Sequence, residues 1–219
     1  GASADRARPT PRIPHSHPPI RTTSMHPALR QNLFLIKEHV GIFKAANNYD
    51  VFDPASGAKL LECREPNLGF FTKLLRFTDY KRMTPFEVVL AGADGRKALT
   101  VRRGVSFFLS KVEVLDENGR VVGGFKQKFF SIGGAFRVLD ARDNEVCMLK
   151  GKWTSWNFQF LKGDRELARV SKKWSGLGKE LFTSADNYVL SVSDAVGEDD
   201  DVRILIMAAV MCIDMVLKE

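Results

Sequence analysis

Histidine is scarce in this 219-residue sequence and poorly placed for catalysis: His15, His17, His26 and His39 all fall at or before residue 39. The long remainder has no imidazole, so a Ser–His–Asp or Cys–His arrangement within it is excluded on inventory. A phosphate-binding loop and an HExxH motif are also missing. Gly176-Leu177-Gly178-Lys179 has the composition of a turn and lacks the spacing of a nucleotide fingerprint. Paired carboxylates exist, but no spacing singles a pair out for glycosidase chemistry. The expectation is a protein that is not an enzyme.

Cysteine is scarce as well. Cys63, Cys147 and Cys212 form an odd, widely spaced set without a CxxC pair. That argues against a disulfide scaffold and a zinc site, and favours a reducing compartment. The N-terminus carries charge but no apolar segment of the kind a secretory signal needs. A membrane-spanning helix needs about 20 apolar residues. The apolar stretch 202–217 (VRILIMAAVMCIDMVL) is shorter and contains Arg203 and Asp214. These absences lead to an expected cytoplasmic location, at most peripheral to a membrane.

What is present suits one globular domain with a sizeable core: 44% hydrophobic and 27% charged residues. The net charge is +7 and the pI about 9.4. In the first 24 residues Arg6, Arg8, Arg12 and Arg21 face only Asp5, which leaves +4 for the rest. The folded part is therefore mildly basic, which permits contact with anionic surfaces without requiring it. No basic cluster interleaved with exposed aromatics points to nucleic acid, so no nucleic-acid partner is expected. Residues 1–28, with Pro9, Pro11, Pro14, Pro18 and Pro19, read as a disordered or extended tail. Met25 can serve as a start. The domain is expected over residues 29–219.

From Leu33 onward the pattern is β. Leu33 to Ile36 is a short apolar run. Tyr49 to Phe52 and Lys59 to Cys63 flank the turn Asp53-Pro54-Ala55-Ser56-Gly57, and Phe86 to Ala91 and Lys97 to Arg103 flank Ala93-Asp94-Gly95. Lys111 to Asp116 alternates, and Asn118-Gly119 announces a hairpin into Arg120 to Gly123. Phe125 to Phe130, Phe136 to Asp140, Val146 to Lys152, Trp156 to Leu161, Glu166 to Lys172, Glu180 to Thr183 and Tyr188 to Val192 continue the meander. That is roughly a dozen short strands at the spacing of a barrel or sandwich. One segment breaks the pattern: Phe70, Phe71, Leu74, Leu75 and Phe77 alternate with Lys73 and Arg76 at helical periodicity, so a short amphipathic helix is expected between hairpins. The C-terminal stretch 202–217 is apolar on all sides of a helix and must be buried. The expected fold is mainly β, an antiparallel barrel closed around its own C-terminal helix.

Several of these segments resemble the phospholipid scramblase family in its bacterial members. The resemblance rests on Asn67-Leu68-Gly69-Phe70-Phe71, Arg103-Gly104-Val105, Lys128-Phe129-Phe130-Ser131-Ile132-Gly133-Gly134 and Gly151-Lys152-Trp153. It continues in Thr183-Ser184-Ala185-Asp186-Asn187-Tyr188, an acidic linker, and the helix ending Cys212-Ile213-Asp214-Met215-Val216-Leu217. That family resembles tubby C-terminal domains and the plant LURP-one-related proteins. The resemblance implies a closed twelve-stranded barrel around a C-terminal helix. It also implies a lipid-associated role: anionic headgroup binding through basic surface residues, as tubby domains bind phosphoinositides, and ATP-independent phospholipid scrambling under calcium control in the animal members.

The residues allow candidate sites to be named. Lys126 and Lys128 share one strand face, as do Lys150 and Lys152, while Arg102–Arg103 and Lys172–Lys173 are adjacent pairs that a strand splits between faces. Brought together by barrel closure, they would form a headgroup site; apart, they are a solvated exterior. Phe70, Phe71, Lys73, Leu74 and Arg76 would either lie in a membrane interface or plug one end of the barrel. Trp153, Trp156 and Trp174 fill the barrel or its rim, or belong to an interfacial belt. By resemblance, the acidic segment before the last helix would hold calcium, with Asp186, Asp194, Asp199 and Asp201 as ligands. It is no EF-hand, since the sixth residue from Asp186 is Ser191, and Tyr188 and Leu190 occupy ligand positions. The run Glu198 to Asp201 also suits capping of the helix that follows. The alternative function is a soluble cytoplasmic binding or scaffold barrel that recognises a protein or small ligand, with no membrane activity.

Overall fold

The computed structural model describes residues 25–38, 49–64, 86–103, 111–127, 135–152, 156–172 and 187–217. Its strands are β1 (Leu33–Glu38), β2 (Tyr49–Phe52), β3 (Lys59–Arg64), β4 (Phe86–Gly92), β5 (Lys97–Arg103) and β6 (Val112–Asp116). They continue with β7 (Val121–Gln127), β8 (Phe136–Asp140), β9 (Glu145–Lys152), β10 (Asn157–Lys162), β11 (Arg165–Ser171) and β12 (Asn187–Val192), followed by the helix α1 (Asp201–Leu217). Each strand pairs antiparallel with its chain neighbours, and β1 pairs with β12 to close the barrel. Closure leaves no free edge among the described strands.

Four of the five hairpins between these strands are pinned by the same device. An aspartate at the end of the first strand or the start of the turn accepts a hydrogen bond from the backbone N–H two residues on. The pairs are Asp53 with Ala55 (2.9 Å), Asp94 with Arg96 (3.0 Å), Asp116 with Asn118 (3.0 Å) and Asp140 with Arg142 (2.8 Å). Hydrogen bonding to the ionised form holds the carboxyls of Asp53, Asp94 and Asp140 below the usual range, Asp94 at about 2 through Arg96.

The barrel is filled by α1. Ile204 through Cys212 are each at most 7% exposed, and the helix lies against β5, β6 and β7. Inward side chains such as Phe34, Val101, Val114, Phe158, Phe160 and Leu190 complete one core with it. The barrel closed around its own helix is therefore observed. The segment expected as two strands, Arg120–Gly123 and Phe125–Phe130, is instead the single strand β7, because Gly123 and Gly124 make no turn. A Cβ on Gly123 would meet the Leu139 carbonyl, and one on Gly124 the Val112 carbonyl, each on the adjoining strand. The same Cβ on Gly123 would stand 3.0 Å from Cδ2 of Leu205, so the missing side chain lets the helix approach the wall. Gly123→Ala should destabilise the barrel by about 1–3 kcal/mol through overpacking, read as a lower midpoint in urea unfolding.

Met25 and His26 are buried, and Pro27–Leu29 form a short 3-10 turn against the core. The expected amphipathic helix around residues 70–77 and the expected strand Glu180–Thr183 lie outside the described residues.

Candidate functional site

An up-and-down barrel sends every odd strand towards one end and every even strand towards the other. In this chain the two ends differ sharply. The connections after β2, β4, β6, β8 and β10 are tight, and the link 193–200 into α1 joins them at the same end. The connections after β1, β3, β5, β7, β9 and β11 all leave the opposite end, towards which α1 points, and include the long segments 39–48, 65–85 and 172–186. Long connections on a rigid scaffold are where binding residues concentrate.

The basic candidates converge on that long-connection end. Arg102 and Arg103 close β5, Lys126 lies one residue from the end of β7, Lys150 and Lys152 are at the end of β9, and Lys172 follows β11 directly. Lys128 and Lys173 lie outside the described residues, and no side chain is described for Lys152. Their neighbours in the barrel moderate the charge. Arg102 donates from Nε to Glu113 at 3.0 Å across the β5–β6 ladder. Lys126 Nζ stands 3.7 Å from Asp143, which also takes Lys111 at 2.5 Å and is held below the usual carboxylate range mainly by that bond. Arg137 pairs with Glu145 at 3.3 Å. Lys150 is exposed and makes no ion pair among the described residues. Lys172 is exposed too.

Arg103 departs from the set. As the strand splits its arginine pair between faces, Arg103 turns into the barrel, where it is 5% exposed and its guanidinium stands 4.9 Å from the Phe86 ring centre. Trp156 is buried as well. The Trp156 ring stacks on Tyr188 at 3.9 Å with 15° between planes, and Trp156 is 7% exposed. Trp156 therefore fills the barrel, as the first of its two readings has it. Trp153 and Trp174, and the interface candidates Phe70, Phe71, Lys73, Leu74 and Arg76, lie outside the described residues.

The described acidic candidates, Asp194, Asp199 and Asp201, engage separate partners. Asp186 lies outside the described residues. Asp194 accepts from Asn32 Nδ2 at 2.5 Å, Asp199 pairs with Arg30 at 2.9 Å, and Asp201 takes Arg120 through two bonds of 3.0 and 3.2 Å. Asp200 accepts from the Val202 N–H at 3.0 Å and caps α1. Each carboxylate is thus engaged with a different partner, and no group of three or more potential metal ligands forms among the described residues. Asp194, Asp199 and Asp201, each taken up by its own partner, do not by themselves make a calcium site.

One structural residue at this acidic end carries no signal in the sequence. Arg203, 3% exposed, donates five hydrogen bonds: Nε to Gly197 O (2.8 Å), Nη1 to Gln31 O (2.8 Å) and Arg30 O (3.3 Å), and Nη2 to Val196 O (2.8 Å) and Asn32 Oδ1 (2.6 Å). It ties the start of α1 to the segment entering β1 and to the link leaving β12. Burial pushes its pKa below the ordinary guanidinium value, and Glu198, Asp200 and Asp194 oppose that shift. Among the described residues no helix is long and apolar enough to cross a membrane.

A family model described as Scramblase matches residues 29–219. Phospholipid scramblase family member 5 of Homo sapiens is similar at 25% identity over 114 residues, a stretch covering 45% of this chain and 42% of that protein. A solved structure of an Arabidopsis thaliana protein aligns with 83% of this chain and 90% of its own length, at 16% identity and a TM-score of 0.49.

Proposed function

The chain belongs to the Scramblase family, and from that premise we propose that it is a lipid-associated barrel that binds anionic phospholipid headgroups and takes part in ATP-independent movement of lipid between leaflets. The observation that carries the reading is the convergence of Arg102, Lys126, Lys150, Lys152 and Lys172 on the end of the barrel that also bears the long connections. Separate lysines on strand ends suit a diffuse anionic surface, since each acts as a point charge and needs no fixed pocket. The role is one of binding and passage, with no covalent step.

The buried helix constrains how scrambling would work. A helix whose residues 204–212 form the barrel core cannot also anchor the folded protein in a bilayer, and Asp214 would make it a poor span. Lipid would have to be handled from outside the barrel. The second reading, a scaffold barrel with no membrane role, draws on the pairing of Arg102 with Glu113 and of Arg137 with Glu145, which leaves little free charge on those strands.

Vesicle co-sedimentation of residues 25–219 without detergent separates the two. The expected result is binding to vesicles containing anionic lipid, weakening as salt rises, with none to neutral vesicles and no dependence on calcium. Absence from the pellet under all conditions would favour the scaffold.

A further inference from the structure

Cations stand side by side on neighbouring strands in the outer wall formed by β6 to β9. Lys126 on β7 is the direct cross-strand partner of Arg137 on β8. Lys111 comes one residue before Val112, which pairs with Phe125, and so stands beside Lys126 on its other flank. Lys150, which is exposed, lies two residues along β9 from Met148, the partner of Arg137, and so shares that face as a diagonal neighbour. Like charges in direct register destabilise a sheet, so a row of this kind needs anions. The chain supplies two, Asp143 from the β8–β9 turn and Glu145 at the start of β9. Asp143 takes Lys111 at 2.5 Å and Lys126 at 3.7 Å, and Glu145 takes Arg137 at 3.3 Å. Four cations against two carboxylates leave the row with an excess of two positive charges among the described residues. Arg102 and Glu113, alongside, pair with each other and cancel.

Asp143 is held loosely there. Its carboxylate is 49% exposed, against lysines that are 32% and 48% exposed. An exposed pair of this kind contributes little, because it fixes long side chains in a screened setting. Asp143 stays ionised at neutral pH, since the Lys111 bond holds it below the usual carboxylate range. It therefore stands where an external anion would stand. An anion that displaces it and Glu145 must bring more than one charge and several acceptor oxygens. A phosphate monoester does so, with a charge of about −1.5 to −2 and three acceptor oxygens, whereas a diester has a single charge. The fork of Arg137 suits two of those oxygens, and the lysines act as point charges on the rest. We propose that Lys111, Lys126 and Arg137 form a site for a phosphate monoester, which Asp143 occupies as an internal counter-ion until the ligand displaces it. The proposal rests on the headgroup reading above for the source of that phosphate, and adds to it the residues, the class of anion and a built-in competitor.

Two substitutions of identical charge change test it on the intact chain. Asp143 has a left-handed backbone (φ 64°), which asparagine tolerates, so Asp143→Asn keeps the turn and loses the charge. Asp164→Asn makes the same change on an exposed residue of the β10–β11 turn and serves as the control. One charge close to an anionic surface corresponds to about fivefold in affinity. Vesicles containing phosphatidic acid, a monoester, should bind Asp143→Asn about fivefold more tightly than the parent, and Asp164→Asn within about twofold of it. Phosphatidylglycerol vesicles of matched surface charge, which offer only a diester, should show less than about a twofold gain. Adding Lys126→Gln to Asp143→Asn should abolish the gain. Equal gains for the two asparagine variants, or on the two lipids, would mean that net charge alone is sensed, and would overturn the site while leaving headgroup binding intact. Amide chemical-shift titration with inorganic phosphate separates a lipid source from a soluble one. Saturable shifts at Lys111, Lys126 and Arg137, tightened by Asp143→Asn and accompanied by vesicle binding, support the proposal. Saturable shifts without vesicle binding would support the phosphate site, assign it to a soluble ester and overturn the headgroup reading. Vesicle binding without such shifts would overturn the site alone, and neither one would overturn both.

Discussion

Cut after Asp200, the chain should lose its barrel altogether, with collapse of the near-ultraviolet circular dichroism and a large rise in hydrodynamic radius. The reason is arithmetic on the core. Ile204, Leu205, Ile206, Met207, Val210, Met211 and Cys212 are each at most 1% exposed. Removing one large core side chain costs about 2–5 kcal/mol, and a whole domain has only about 5–15 kcal/mol to lose. A barrel emptied of its helix would enclose an apolar void that the walls must collapse to fill. Met207→Asp should have the same sign, because it places an unpaired charge among those residues. A truncated chain with native dispersion and radius would show that the wall stands without its filling.

The second large effect is expected at Arg203. Its five hydrogen bonds end mostly on main-chain carbonyls of two segments, 30–31 and 196–197, which the exposed contacts Arg30–Asp199 and Asn32–Asp194 also link nearby. Arg203→Met preserves the length of the stem and leaves the Val196 and Gln31 carbonyls without the guanidinium, while Gly197 O keeps the Asp200 N–H. Leaving buried polar groups unpaired costs about 1–3 kcal/mol each, with partial relief by water, so a loss of about 3–5 kcal/mol is expected. For a domain of this size that lowers the melting temperature by about 10 °C or more. Arg203→Lys should fall between, since one ammonium cannot reach five acceptors on two sides. A melting temperature within a degree or two of the parent would mean that the carbonyls are satisfied without the guanidinium.

Parts of this structure were legible in the sequence for physical reasons. The hairpin turns were readable because Asp, Asn and Gly there have local work to do, as the repeated aspartate to N–H bond of Asp53, Asp94, Asp116 and Asp140 shows. The core helix was readable because residues 202–217 are apolar on all sides. Closure was not readable from local signals, since Leu35 pairs with Val189 and nothing near either residue announces the other. Gly123-Gly124 was misread because glycine marks a close approach as readily as a turn. Arg203 was invisible because its partners are backbone atoms, which have no sequence signature. The acidic run before α1 divided as soon as its partners were known: Asp200 caps the helix, and Asp199 and Asp201 hold Arg30 and Arg120.

The claim on which the rest depends is that α1 stays a core element when the protein meets lipid. Amide hydrogen exchange over residues 204–212, on the protein bound to anionic vesicles and on the free protein, tests it most directly. A helix that remains inside the barrel keeps the protection of global unfolding in both states, while any change is confined to the ends of β5, β7 and β9. Protection of the helix that is lost on vesicle binding, together with quenching of a helix label by lipid-borne quenchers, would show that the barrel opens and that the helix leaves it for the bilayer.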